Sequence, residues 1–465
     1  MDIPFIGRRN ELSNLEKEYA NGAGVITVTG RSGVGKTRLL REFSRNRDVL
    51  HFVASPLNDQ MLIAEFDRMV SRYCRARQGT SRSWYDAFDM FSSHSDNLKV
   101  LILDGFQNLT VNGGFLAELR DSWDNLLSRG NVLLILCSSV ISSMSALDSD
   151  QDNPMFGTVR KSIILQPLAF DEIPEGDFKG SMVSYSMHGG IPSVMSRLSG
   201  ISDPEEAFSI LADPDGKTFG RVTDALSNEV KGVPVYLSIM RAIADGRNRI
   251  TQISEAVGIP PTTLNAYLRK LLDNGAVKRT VPATEYFPEK SKSGIYSISD
   301  YNSLLWLRFV LPHLSEIVAN DYSMARKDFA ANHRAVLVHP AYRDLCIGML
   351  PAMSDDLGFM PIVYGRYWNK ETDMDIVALN PAKRRALVAR CYCRGDKANR
   401  YDMNALIRAA GGIPELRGYV VKLGMFSLDG FEEDLKAEQN ILLVEGKDVI
   451  GRKRSEGVLD EDAGI

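Results

Sequence analysis

The sequence predicts an α/β fold built on a parallel sheet, followed by helical and mixed segments. Three observations carry that expectation. Short apolar runs alternate with longer amphipathic stretches through the first third of the chain. Two of those runs, Val100–Leu103 and Val132–Leu136, are apolar at every position, as strands covered on both faces are. A glycine-rich turn from Gly30 to Thr37 lies between a strand-like run and a helix-like one. Strands that alternate with helices make parallel sheets, because each crossover must return over a face of the sheet.

The elements follow in order. Val25–Thr29 reads as the first strand, Arg38–Phe43 as the start of a helix and His51–Ala54 as the second strand. Val100–Leu103, Val132–Leu136 and the weaker Ser162–Leu165 complete the sheet. From about Phe170 the pattern turns helical and is punctuated by Gly189-Gly190-Ile191-Pro192. Residues 251–275 show two short helical periods joined at Gly258–Pro261, with a hairpin up to about Ser299. Beyond Asp300 the reading is mixed, with strands at 376–379 and 386–389 around the turn Asn380-Pro381. The expected divisions are 1–168 for the sheet core, 169–232 for a helical lid, 233–299 for a winged helix-turn-helix, 300–450 for a second α/β domain and 451–465 for a charged tail.

Composition narrows the classes. The 465 residues are 44% hydrophobic and 25% charged, with a net charge of -4, which excludes a uniformly basic nucleic-acid coat and a highly charged disordered chain. No apolar run reaches eighteen residues, so no spanning helix and no membrane partner are expected. Met1-Asp2-Ile3-Pro4 lacks the basic and apolar regions of a secretory leader. Five scattered cysteines do not make a disulfide framework, and Cys391-x-Cys393 has no second pair to complete a zinc site. A reduced, cytoplasmic setting is expected.

Gly30-Arg31-Ser32-Gly33-Val34-Gly35-Lys36-Thr37 matches G-x-x-x-x-G-K-[ST] at every fixed position. Glycines let backbone N–H groups curl around an anion, and the following helix aims its positive end at the phosphates. Lys36 would bridge the β- and γ-phosphates, and the Thr37 hydroxyl would bind Mg²⁺. The expected cofactors are therefore ATP and Mg²⁺. Asp104, directly after the apolar run Val100–Leu103, is the candidate acid for Mg²⁺, with a plain turn or helix cap as the other reading. His51–Ala54 falls between the two motifs, which suits a sheet with an extra strand separating them. Gly105 follows where many such ATPases place a water-polarising Glu. Binding is thus better supported than hydrolysis, which is expected to be slow or absent.

Ile250–Gly258 and Thr262–Leu272 read as two helices of a helix-turn-helix, with Ile253, Val257, Leu264, Leu268 and Leu271 inward. Val277–Arg279 and Gly294–Ile298 would be the strands of a wing. Residues 247–292 carry eight Lys/Arg and four Asp/Glu, a positive island in an acidic chain. Thr262, Thr263, Asn265, Arg269, Lys278 and Arg279 are the candidate residues facing duplex DNA. Protein contact, or service as a rigid spacer, is the other use of such a module.

Several segments together resemble the archaeal-type ATPase family, a branch near the AAA+ and STAND NTPases. Phe5-Ile6-Gly7-Arg8 to Glu11 resembles its opening box, which implies that Ile6, Gly7 and Arg8 lie near the adenine. Asp104-Gly105-Phe106-Gln107 resembles its D-E-F-Q stretch with Gly for Glu, and Leu134–Ser139 its sensor strand with Cys137 for Gly. Thr158 stands where the family usually has an arginine finger, and Arg160 is the nearby substitute. Gly189-Gly190-Ile191-Pro192 resembles the conspicuous G-G-I-P of its helical lid. Gly365–Trp368 and Asp373–Ala378 resemble the PD-(D/E)xK nuclease-like domain that often follows. Asp373 and Asp375 alternate, so they would share a face as a metal pair could need. The E-x-K step would fall at Arg390-Cys391-Tyr392, which offers neither Glu nor Lys, so nuclease activity is not expected. The resemblance implies a P-loop NTPase acting as a nucleotide-controlled switch, with ATP hydrolysis and self-association as open possibilities. The alternatives are a DNA-binding regulator or defence protein with structural nucleotide, and an ATP-dependent nuclease.

Overall fold

The computed structural model describes residues 5–79, 81–111, 113–173 and 176–448, so the expected charged tail lies outside the described residues. The chain forms two compact units. The first comprises Met1–Leu168 with Gly190–Ser196 and Thr223–Val233. The second comprises Ala169–Gly189, Arg197–Val222 and Pro234–Ile465.

The first unit is a five-stranded sheet of β1 (Gly24–Thr29), β2 (Val49–Val53), β3 (Lys99–Asp104), β4 (Val132–Ser138) and β5 (Val159–Ile164). Its order is β2-β3-β4-β1-β5, and every pairing is parallel. β1, β3 and β4 are buried at every position, which is why their sequences are unbroken apolar runs. An aromatic core of Phe52, Phe66, Trp84, Phe88 and Phe115 lies on one side of the sheet. Leu15, Leu39, Leu40 and Phe43 pack with Ile26 and Val28 on the other. Side-chain caps fix where helices start: Asn58 accepts from the Met61 N–H at 3.0 Å, and Ser83 from the Asp86 N–H at 3.1 Å. An extra strand does separate β1 from β3 in the sheet; it is β4, whereas β2, which precedes β3 in the chain, lies at the edge. Position along the chain does not determine position in a parallel sheet, because every connection is a crossover.

The second unit holds the helix Phe178–His188, the helix pair Ile250–Val257 and Pro261–Asp273, and the antiparallel pair β6 (Val277–Thr280) and β7 (Ile295–Ile298). Ile253, Leu264, Leu268 and Leu271 are buried as the periodicity requires. Arg221 is buried with Asp300 at 2.7 Å, and its guanidinium also donates to Asn302 and Ser303, so this interior charge is fully matched. A second sheet follows, of β8 (Val363–Trp368), β9 (Asp373–Asn380), β10 (Arg385–Tyr392), β11 (Val420–Ser427) and β12 (Ile441–Glu445), in the order β12-β11-β10-β9-β8. It is mixed: β8, β9 and β10 pair antiparallel, and β10, β11 and β12 parallel. Among the described residues no helix is long and apolar enough to cross a membrane.

Candidate nucleotide site and nucleic-acid interface

The glycine-rich loop leaves β1 and enters the helix Lys36–Phe43. Gly30, Gly33 and Gly35 have φ of 149°, 86° and 102°, conformations that side chains resist. The helix starts at Lys36 without a side-chain cap, so its amino end is available to an anion. Ser193 lies so close to Gly33 that its Oγ occupies the place of a Cβ, and its N–H donates to the Gly33 carbonyl at 3.3 Å. The segment that follows Gly190 is therefore part of this site.

Lys36 is buried, and its ammonium donates to Gly30 O at 2.6 Å and Arg31 O at 3.3 Å. Burial pushes its pKa down from the ordinary lysine value, and Cys137 and Asp104 act in the opposite direction. Thr37 Oγ1 donates to Asp104 Oδ2 at 3.1 Å, so the loop hydroxyl and the strand-end acid meet as the spacing expects. The Gly105 N–H donates to Asp104 Oδ1 at 2.8 Å. Burial alone would raise the Asp104 carboxyl, but His51, Cys137 and Thr37 together hold it below its ordinary value. The donor set of loop N–H groups, an ammonium, a hydroxyl and a carboxylate fits a triphosphate with a hard divalent cation.

Sequence reasoning missed His51. It stands in β2, with its Nε2 3.5 Å from Asp104 Oδ2. That nitrogen is buried and has no hydrogen-bond partner among the described residues. The available signal was one polar residue between Leu50 and Phe52. The role of Gln107 was also missed: Ser138 Oγ donates to Gln107 Oε1 at 2.8 Å and accepts from the Val140 N–H at 3.0 Å. This ties the segment after β3 to the end of β4.

Arg8 is buried, donating to Glu11 at 2.9 Å, Val34 O at 2.9 Å and Gln166 O at 2.5 Å. With Phe5, Ile6, Val34, Pro192 and Met195 it lines a cavity of about 180 Å³ beside the loop. Gly7 (φ 63°) turns the chain between Ile6 and Arg8. Arg38 lines it too, and apolar walls with guanidinium groups at the rim suit a planar heterocycle.

One catalytic substitute is corrected. Arg160 does not stand ready as a finger: its guanidinium is held by Glu18 Oε2 at 2.6 Å, Ala23 O at 2.8 Å and Glu18 O at 2.9 Å. Gly105 has φ 74°, and a Cβ there would meet Ala54 O at 2.7 Å, so a side chain at this position requires the backbone to shift.

Thr262, Thr263, Asn265 and Arg269 all lie exposed on the outer side of the helix Pro261–Asp273. Lys278 is exposed as well and Arg279 is half-buried, and both have partners of their own. Lys278 pairs with Asp344 at 2.9 Å, and Arg279 donates to Pro288 O at 3.0 Å and Ser291 O at 2.5 Å. In the second sheet, Asp373 meets Arg366 at 3.3 Å, while Asp375 meets His339 at 3.3 Å and accepts from the Cys391 N–H at 3.0 Å. Burial opposes ionisation of Asp375, but His339 leads the groups that hold its pKa below the ordinary value. In the antiparallel pairing of β9 with β10, Ala389 stands opposite Ile376, which carries Arg390 to the level of Asp375, and the Arg390 guanidinium donates to Asp373 O at 3.3 Å. The step expected at Arg390-Cys391-Tyr392 thus presents an arginine and a tyrosine where the resemblance implies Glu and Lys. No group of three or more His, Cys, Asp or Glu able to hold a metal occurs among the described residues.

Comparison with known proteins agrees with this architecture. Residues 19–139 match the family model described as an AAA domain, and residues 237–278 match a winged helix-turn-helix DNA-binding module. Residues 306–401 match a family described as archaeal and bacterial proteins of unknown function. The chain therefore combines an AAA-type P-loop ATPase domain with a winged helix and a C-terminal mixed-sheet domain. An uncharacterised protein of Methanocaldococcus jannaschii is 25% identical over 82% of this chain and 86% of its own length. A Walker-type ATPase of Pyrococcus abyssi has a similar fold, with a TM-score of 0.52 at 20% identity over 65% of this chain and 96% of that one. The ORC2 protein of Aeropyrum pernix has a TM-score of 0.46 at 16% identity over 69% of this chain and 98% of that one.

Proposed function

We propose that this chain is a Mg-ATP-controlled switch whose nucleotide state governs duplex DNA binding by the winged helix. The observation that carries the reading is the Thr37–Asp104 hydrogen bond of 3.1 Å beside a buried Lys36. The backbone N–H groups of Gly30, Arg31, Ser32, Gly33, Val34 and Gly35 would hold the phosphates. Lys36 would exchange its bonds to loop carbonyls for phosphate oxygens. Thr37 and Asp104 would hold Mg²⁺, which supplies charge neutralisation between the phosphates. Ile6, Gly7, Arg8 and Pro192 would enclose the base.

Parts of the proposed lid, residues 169–232, are wired to this site. Ser193 rests on Gly33, and the Glu229 carboxylate accepts from the Ile141 N–H at 2.7 Å and Ser142 Oγ at 2.8 Å, capping the helix after β4. A bound γ-phosphate that contacts one arrangement of these segments better than another shifts their population. Hydrolysis is slow, because Gly105 supplies no base to the water. Residues 233–299 read duplex DNA, and residues 300–450 form a nuclease-like domain without nuclease chemistry.

Titration with a fluorescent ATP analogue tests the site. Lys36→Ala is expected to weaken binding about 100-fold or more, and Thr37→Ala to remove the dependence on Mg²⁺. Full affinity in Lys36→Ala would overturn the assignment. A second reading, nucleotide as a purely structural element, is favoured by a backbone at Gly105 that resists a side chain. It predicts the same DNA affinity with ATP, with ADP and with neither.

A further inference from the structure

In the helix Phe178–His188, the residues Phe178, Ser181, Tyr185 and His188 follow at spacings of three, four and three, so they share one side. That side lines a cavity of about 370 Å³, to which Phe170 and Ile201 contribute from the segments before and after the helix. Three rings form its walls. Phe170 stands at 71° to Phe178 and at 87° to Tyr185, with centroids 5.4 and 5.3 Å apart, so the rings turn their faces in different directions around one space. The charge around that space is negative. Asp177 is the one charged side chain of the lining, and no Lys or Arg among the described residues joins it. The nearest cations along the chain turn elsewhere: Lys179 pairs with Asp429 at 2.5 Å, and Arg197 donates to Thr218 Oγ1 at 3.5 Å. Burial holds His188 neutral, with a pKa of about 3, so the imidazole adds no positive charge. The charges that act on the Tyr185 phenol are those of Asp344, Asp171 and Glu172, all negative. The amino end of the helix carries about half a positive charge, which the full charge of the Asp177 that caps it outweighs.

We propose that this cavity binds a small organic cation, an ammonium group on an apolar body, with the ammonium against Phe170, Phe178 and Tyr185 and the Asp177 carboxylate as its counter-charge. Aromatic faces attract a cation through the ring quadrupole, most strongly where water is excluded. The carboxylate turns anions away. The apolar walls reject small inorganic cations, which lose their hydration there without gaining enough contacts in return. A cavity of about 370 Å³ lies in the range of sites for small molecules, so the occupant is a compact molecule and not a peptide. None of the lining residues belongs to the nucleotide site, so the assignment stands whether or not the switch reading does.

The test is calorimetric titration of the full chain with choline as the probe, against its uncharged isostere dimethylbutanol. Choline should bind about 10-fold or more tighter than the alcohol. Asp177→Asn should keep the melting temperature, because Asn caps a helix as well as Asp does, and should lose about 5-fold or more in choline affinity. Phe178→Leu, which keeps apolar bulk without the quadrupole, should weaken choline more than the alcohol. Equal affinities of the wild type for the two probes would make the cavity merely apolar and overturn the proposal. So would the absence of choline binding at about 10 mM, or choline affinity unchanged in both variants.

Discussion

Gly105 stands where the resemblance implies a water-polarising Glu, and the obvious repair is Gly105→Glu. The structure resists that repair, because φ is 74° and the carbonyl of Ala54 stands 2.7 Å from where a Cβ would be. A non-glycine residue held in the left-handed region costs about 1–2 kcal/mol before any clash is relieved. Gly105→Glu is expected to lower the urea unfolding midpoint without raising ATP turnover. A turnover gain at unchanged stability would show that the backbone relaxes freely there. The meeting of Thr37 with Asp104 was legible because it depends on spacing and on the end of an apolar run. His51 was not, because its nearness to Asp104 comes from the pairing of β2 with β3, and lateral pairing has no local sequence signal. The engagement of Lys278 and Arg279 was hidden for the same reason: their partners lie up to 66 residues away.

Elements were easier to read than their arrangement. Each apolar run expected to be a strand in the first unit is one, and both helices of the helix-turn-helix lie where the period of 3.6 puts them. The strand order was beyond the pattern. At this scale the winged helix divides its cations into two groups. Arg269 is exposed on the outer helix face, whereas Arg279 is spent on the wing's own carbonyls. Arg269→Ala is expected to reduce the slope of log affinity against log salt by about 1, as loss of one phosphate contact does. Arg279→Ala should instead expose the loop 281–294 to protease. Fluorescence anisotropy across a salt series and timed proteolysis distinguish the two. An unchanged slope for Arg269→Ala would remove that residue from the interface.

For the whole molecule, acid stability has an identifiable internal contributor. His188 closes the helix Phe178–His188 and lines a cavity of about 370 Å³ with Phe170, Phe178 and Tyr185. Burial pushes its pKa from 6.5 down to about 3. Above about pH 6.5 the imidazole is neutral in both folded and unfolded chains. Below that value only the unfolded chain takes the proton, until about pH 3. Stability is thus fully present above pH 6.5 and falls as pH drops towards 3, by up to about 1.4 kcal/mol per pH unit. His188→Gln should flatten that part of the curve in urea unfolding measured from pH 7 to 4. An identical slope would mean that the site takes up water and accepts the charge.

The tethering of Arg160 bears on how copies of this chain behave when they gather. Glu18 and the nearby carbonyls keep that guanidinium occupied at home, so a neighbour has nothing to borrow at this position. A finger supplied by one copy to another would have to come from elsewhere in the chain.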